Sequence, residues 1–219
     1  MNRLPVIVRQ HIAGFRALLV FTVLCGLIYP AVMTGFGQLF FHNTANGSMV
    51  SYGGRTVGSG QLCQEFTDAK GNPLPQYFQP RPSNAVDATS KTDYGCNPLF
   101  SAASNLGPSN PDLVKLIKQR QQAIAAFDHV PVSQIPADAV TASGSGLDPG
   151  ISPQNAAIQV NRVAAARHLP VATVKELVAT YTQGRTFGFL GEPAVNVLEL
   201  NMALDQLSAK SGHGTRLAS

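Results

Sequence analysis

Tryptophan is absent from this chain of 219 residues, cysteine occurs three times, and charged side chains make up only 13% of it. Three cysteines are too few for a disulfide scaffold, so a folded domain here must rest on a packed core. None of them has the CxxC or histidine spacing of a zinc site, and His42, His129, His168 and His213 form no HExxH or HxH arrangement. No metal site is therefore predicted. A basic cluster is missing too, although the formal charge is +4. Three of the 16 basic residues are Arg3, Arg9 and Arg16, which leaves 13 Lys and Arg against 12 Asp and Glu beyond residue 41. Those basic residues are spread singly, without the stripe and interleaved aromatics that nucleic-acid binding needs, and that function is excluded.

The longest absence is the most informative. Residues 17–41 contain no charged side chain, and the three arginines lie just before them. At about 1.5 Å per helical residue such a run reaches about 37 Å, enough to cross a hydrocarbon core of roughly 30 Å with some tilt. It exceeds the apolar region of a signal peptide. The reading is a retained membrane anchor, with residues 1–16 a cytoplasmic basic N-terminus, 17–41 the transmembrane helix, 42–209 an extracytoplasmic domain and 210–219 a flexible tail. Gly26 and Pro30 interrupt the run, while Ala31 and Gly35 make a small-xxx-small pair that admits a neighbouring helix. These four residues are the expected membrane-packing positions, against lipid and other membrane helices.

Some 178 residues beyond the anchor suffice for one domain with its own core. From 43 to 107 the chain is dense in Gly, Pro, Ser and Asn, with brief strands expected at 49–52, 61–66 and 76–78. A helix then opens at Ser109 or Asn110 with Pro111 in its first turn, and Leu113, Leu116, Ile117, Ile124 and Phe127 share one face. Ser152 and Pro153 start a second that turns Val160, Val163 and Ala164 inward and stops before Pro170. The third carries Val174, Leu177, Val178 and Tyr181 and ends near Gly184; a fourth opens after Pro193 with Val197, Leu200, Leu204 and Leu207 inward. The fold class is α+β, one spanning helix followed by one mixed domain. Cys25 lies in the apolar run; Cys63 and Cys96 either pair in an oxidising exterior compartment or remain free thiols.

Chemistry-bearing motifs are few. The stretch TASGSGLDPG, residues 141–150, is rich in glycine but lacks the Lys and Ser/Thr of a P-loop, and Asp148 would repel a phosphate. Ser145 has Ser143 and Leu147 where a nucleophile elbow needs glycines. The stretch reads as a tight connection into the helix capped by Ser152. Glu192 before Pro193 reads as a carboxylate favoured at a helix N-terminus, and Glu199 has no identifiable partner in sequence. No catalytic residue is predicted.

Four strings together carry a resemblance: SNLGPSNP (104–111), TASGSGLDPGISP (141–153), QVNRVAAAR (159–167) and GRTFGFLGEPAVNVLELNMALD (184–205). They resemble the signature blocks of the C chain of the potassium-transporting Kdp ATPase, and the likeness extends to the anchor, to GSGQLCQEF (58–66) and to YFQPRPS (77–83). The sequence departs where that family usually has Gly at Cys63, a glycine pair at Ala102 and Ala103, and His at Gly150. The resemblance implies an accessory, non-hydrolysing subunit in a bacterial inner membrane, beside a channel-like A chain and a P-type ATPase B chain. ATP and potassium would be handled by the complex, with the C chain acting as a catalytic chaperone that raises the ATP affinity of the B chain. Candidate contact residues are Asn105, Asn110, Ser143, Ser145, Asp148, Arg185, Glu192 and Asn196. The alternatives are a subunit that binds ATP directly and an anchored extracytoplasmic hydrolase.

Overall fold

The computed structural model describes residues 5–210, in two units that divide between Ser48 and Met49. Arg3 and all of the expected tail except Lys210 lie outside the described residues; Lys210 itself closes a helix.

The first unit is one helical rod. It consists of α1 (Val6–Val23), a π-helical segment (Leu24–Ile28) and α2 (Tyr29–Phe40), followed by the single turn α3 (His42–Ala45). Its 35 residues have a hydropathy of 2.1 in the most apolar window, none of which is buried by the chain itself. At about 1.5 Å per residue the rod is long enough and apolar enough to cross a membrane. It begins well before residue 17, so Arg9 and Arg16 stand on the helix rather than ahead of it. The π segment has a local cause. Pro30 has no N–H for the Gly26 carbonyl and its ring crowds that oxygen, so the turn between them widens instead of breaking. A Cβ built on Gly35 meets nothing within 4 Å, which leaves this face open.

The second unit begins with a hairpin, β1 (Met49–Tyr52) and β2 (Arg55–Ser59), paired antiparallel from Tyr52 and Arg55 outward. Gly53 and Gly54 form its two-residue turn with φ of 57° and 80°, a conformation that glycine adopts without strain. A long loop region leads to α4 (Pro111–Asp128), whose N-cap is Asn110: its side-chain oxygen accepts from the Asp112 N–H at 2.8 Å. A 3-10 turn (Val132–Gln134) and α5 (Ala137–Val140) follow, then β3 (Gly150–Ile151) and α6 (Pro153–Arg167), capped by the Ser152 hydroxyl. Next come α7 (Val171–Thr180), β4 (Thr182–Gln183), β5 (Ala194–Asn196) and α8 (Val197–Lys210). The strands β3, β5 and β4 form an antiparallel sheet with β5 central. The helices α4 and α6 end on His129 and His168, each in the left-handed conformation; these histidines are helix caps.

Several expected boundaries move. The third helix stops at Thr180 and the fourth starts only at Val197, because Thr182–Gln183 and Ala194–Asn196 are taken up as paired strands. Residues 61–66 and 76–78, expected as strands, have no ladder partner. The apolar face of α4 is only half-buried, and Asp128 is its one buried residue.

The unpaired segment 75–79 occupies the centre of the domain. Tyr77 and Phe78 are buried among Val160, Val163, Leu200 and Leu204 of α6 and α8, so the segment's backbone groups need partners. Side chains supply them. Asn201 on α8 accepts from the Phe78 N–H and donates to its carbonyl, both at 2.9 Å. Gln159 on α6 does the same for Gln79, at 2.7 and 3.2 Å. Arg162 donates to the carbonyls of Pro75 and Tyr77 at 2.6 and 2.8 Å, and Arg167 to that of Gln76 at 2.6 Å. Two buried ion pairs hold the arginines: Arg162 to Asp128 at 2.6 Å and Arg167 to Asp205 at 2.8 Å. Burial holds both carboxyls above the usual carboxylate range, and the facing guanidinium offsets only part of that rise. Arg167 also lies 4.8 Å over the Tyr77 ring, whose hydroxyl donates to Asp205.

Replacing Asn201 by alanine leaves two buried backbone groups unpaired, and we expect a stability loss of about 2–5 kcal/mol in urea unfolding of the second unit. A loss under about 1 kcal/mol would show that the amide is not needed there.

Candidate functional site

Three features stand out on the second unit: the Gly-rich turn, a cleft beside α4, and the hairpin between β4 and β5.

The turn at 141–150 is held at several points. Gly146 has φ 73°, and a Cβ there would lie 2.6 Å from the Ala102 carbonyl oxygen and 2.9 Å from Ala85, so only glycine fits. Its carbonyl accepts from the Ser83 hydroxyl at 2.6 Å, that of Ser145 accepts from the Ala102 N–H and the Ser101 hydroxyl, and that of Leu147 accepts from the Cys63 N–H. Cys63 and Cys96 form a disulfide, with Cα atoms 5.4 Å apart, and Ser83 also accepts from the Cys96 N–H. Four loop segments are thus fastened together. The disulfide resolves the pairing that the sequence left open.

These contacts bear on a phosphate cradle. The Leu147 N–H is occupied by the Ser145 hydroxyl, Asp148 stands exposed in an ion pair with Arg81 at 2.9 Å, and the turn's carbonyls face inward onto neighbouring loops. The turn connects α5 to β3 and α6.

The cleft measures about 590 Å3 and lies between α4 and the loops of residues 65–82. Glu65, Arg81 and Arg120 supply charge along it, Ile124 and Phe127 an apolar wall. Arg120 donates to the Val140 carbonyl at 2.9 Å, and burial lowers its pKa. The Arg81 Nε is buried with no acceptor among the described residues. Burial, and then the neighbouring Asp93 charge, push the Glu65 carboxyl up to about 7. None of these three residues was distinguished by sequence. Glu65 sits in the GSGQLCQEF block but gains its character from the fold around it, and no local pattern signals that. No group of three His, Cys, Asp or Glu side chains converges as metal ligands among the described residues.

The hairpin extends β4 and β5. Arg185 and Glu192 face each other at 2.8 Å, and Thr186 and Leu190 are bridged by hydrogen bonds of 2.9 and 3.0 Å. Glu192 therefore has a partner across the hairpin rather than a helix N-terminus to stabilise, since α8 opens only at Val197. Phe187, Phe189 and Leu190 at its tip are exposed.

The eight candidate contact residues do not converge. Asn196 is buried, donates to the Gly60 carbonyl at 2.7 Å and accepts from the Glu199 N–H at 3.1 Å as the cap of α8, which removes it from any contact surface. Ser143 is buried as well, and Asn110 is spent as the cap of α4. Ser145 and Asp148 remain exposed on the turn, Asn105 is exposed with φ 53°, and Arg185 and Glu192 flank the hairpin. On the rod, Gly26 lies in the π segment, with Pro30, Ala31 and Gly35 on α2.

A model of the family described as "K+-transporting ATPase, c chain" matches residues 11–206. The chain belongs to this KdpC family. Among its relatives, the potassium-transporting ATPase KdpC subunit of Paraburkholderia phymatum is 53% identical over 187 residues, covering 85% of this chain and 91% of the relative. That of Mycobacterium tuberculosis is 46% identical over 200 residues, covering 91% and 99%. The KdpC subunit of Beijerinckia indica is 48% identical over 197 residues, covering 90% and 93%. The resemblance read from the four blocks is therefore shown over most of the chain, and KdpC is a subunit of a potassium-transporting ATPase complex. The Gln159, Arg162, Arg167, Asn201 and Asp205 side chains of two of those blocks are the ones that grip segment 75–79.

The raised Glu65 carboxyl sets a pH dependence. Its folded pKa of about 7 lies above the model-peptide value of 4.5, so the folded state holds the proton more tightly. Its contribution is complete below about pH 4.5 and is lost as pH rises through about 7, by roughly 3 kcal/mol if the full shift applies. We expect Glu65→Gln to stabilise the domain at pH 8 and leave it nearly unchanged at pH 4. Thermal unfolding across that range checks this, and equal effects at both pH values would contradict it.

Proposed function

We propose that this chain is a non-hydrolysing accessory subunit of an ATP-driven potassium uptake system, anchored by one helix in a bacterial inner membrane with its domain on the outer side. It assembles beside a channel-like, potassium-binding chain and a P-type ATPase chain, which handle potassium and ATP. Acting from outside, it raises the ATP affinity of the ATPase chain by favouring one of that chain's conformations, as a catalytic chaperone does.

One observation carries this reading: five polar side chains of two of the family's blocks, Gln159, Arg162, Arg167, Asn201 and Asp205, are committed to holding segment 75–79, and the charged ones among them are paired inward. Support for the sidedness comes from Arg9 and Arg16, which flank the apolar run on its N-terminal side. Nucleotide is cytoplasmic, so a domain on the opposite face acts on its affinity only through the membrane subunits. Such coupling typically amounts to about 1–3 kcal/mol, or roughly 5- to 150-fold in affinity. Direct ATP binding by this chain is less well supported, because the exposed carboxylate of the Gly-rich turn is Asp148. An anchored hydrolase lacks support from the turn's serines: Ser143 is buried, and the Ser145 hydroxyl is bonded to the Leu147 N–H.

The test compares the ATPase chain's nucleotide affinity in complexes carrying the full subunit or the anchor alone, truncated after residue 45. With the anchor still co-purifying, we expect the gain in affinity, roughly 5- to 150-fold, to disappear. Full retention of the gain would contradict the proposal.

A further inference from the structure

Single exposed apolar side chains are ordinary on a protein surface, but three at one tip are not. Phe187 is 84% exposed, Phe189 69% and Leu190 50%, all within the ten-residue connection 184–193 between β4 and β5. The domain's own core does not use them. The loop that carries them is nevertheless fixed in shape. Two backbone hydrogen bonds join Thr186 and Leu190, the Gly188 N–H donates to the Arg185 carbonyl at 3.0 Å, and Arg185 and Glu192 close the base. Its strands continue into the sheet whose centre, β5, carries the buried Val195.

We infer that this hairpin is the docking element of the domain, its two phenylalanines and Leu190 entering an apolar pocket on the outer face of a membrane subunit of the same transporter. The inference rests on the placement of the domain outside the membrane and names the surface that makes contact there. Three observations select a protein rather than lipid. The hairpin's only charges are Arg185 and Glu192, which neutralise each other, and the chain beyond the anchor is nearly neutral, with 13 basic against 12 acidic residues. Elements that adsorb to lipid surfaces carry an excess of Lys and Arg on their polar side. A backbone held in one conformation also serves a shaped pocket, where pre-organisation lowers the cost of binding, whereas fluid acyl chains demand no shape. Finally, only residues 41–48 separate α2 from β1, and four of them are helical. Even fully extended, eight residues span at most about 28 Å, so the domain stays beside whatever subunit the anchor packs against. Tethering of this kind gives an effective concentration on the order of millimolar, and a small aromatic contact is then enough.

The test places a photo-reactive benzophenone side chain at position 187 of the full chain in the assembled membrane complex. Control positions are Lys118 on α4 and Lys175 on α7, both exposed. We expect cross-linking to a membrane subunit from 187 and not from the controls. Protein cross-links from a control position but none from 187 would overturn the hairpin assignment and leave the exterior docking of the domain intact. Cross-linking from 187 to lipid alone, or no protein cross-link from any position, would overturn it too, whereas the exterior reading itself fails only if a tag after Ser219 is digested in inverted vesicles and not in spheroplasts. As a second measurement, the double variant Phe187→Ser, Phe189→Ser should lower co-purification with the complex at least about tenfold while leaving thermal unfolding of the domain unchanged. Unaltered co-purification would contradict the inference.

Discussion

A buried stretch of backbone without a strand partner is the constraint around which the second unit is organised. Segment 75–79 carries two aromatic side chains into the core, and its peptide groups go in with them. In a sheet, a neighbouring strand would satisfy them. Here Gln159 and Asn201 act as two short pieces of strand edge, each pairing with both the N–H and the carbonyl of one residue. Arginines from α6 cover the carbonyls that remain, and Asp128 of α4 and Asp205 of α8 neutralise those arginines. Removing one member of such a pair leaves an uncompensated buried charge, typically at about 3–5 kcal/mol. The arrangement therefore fixes the relative placement of α4, α6 and α8 more sharply than apolar packing alone would.

The same arrangement explains what reaches the surface. The polar side chains of α6 and α8 that meet segment 75–79 are directed inward, and the surface of the described residues carries a stapled Gly-rich turn, a cleft and an apolar hairpin. The disulfide between Cys63 and Cys96 holds the loop-rich half together where helices are few, which fits an oxidising compartment. On the apolar rod, the π segment at Leu24–Ile28 widens one turn and the face at Gly35 is open, which leaves room for a neighbouring helix.

Local signals in the sequence were readable where the governing physics is local. Asn110 with Pro111 and Ser152 with Pro153 mark helix starts because a cap needs only its own next three residues, and the periodicity of Val160, Val163 and Ala164 reports the face that packs. The apolar run was equally legible, since membrane thickness sets its length. Readings failed where a distant partner decided the outcome. Residues 194–196 look like the start of a helix until Gly150 and Ile151 pair with them, and Glu192 looks like a helix-end carboxylate until Arg185 is brought across the hairpin. Asn196 was singled out as a contact residue, but Gly60, more than a hundred positions away, claims its side chain. The pairing of Arg162 with Asp128 and the character of Glu65 arise from burial, which no spacing encodes.

Which side of the membrane this domain occupies decides how it can act, because an exterior domain reaches nucleotide only through the membrane subunits. Protease protection measures this directly, with a tag placed after Ser219 and digestion compared between spheroplasts and inverted membrane vesicles. We expect loss of the tag in spheroplasts alone. Loss in inverted vesicles alone would put the domain in the cytoplasm and contradict the exterior reading.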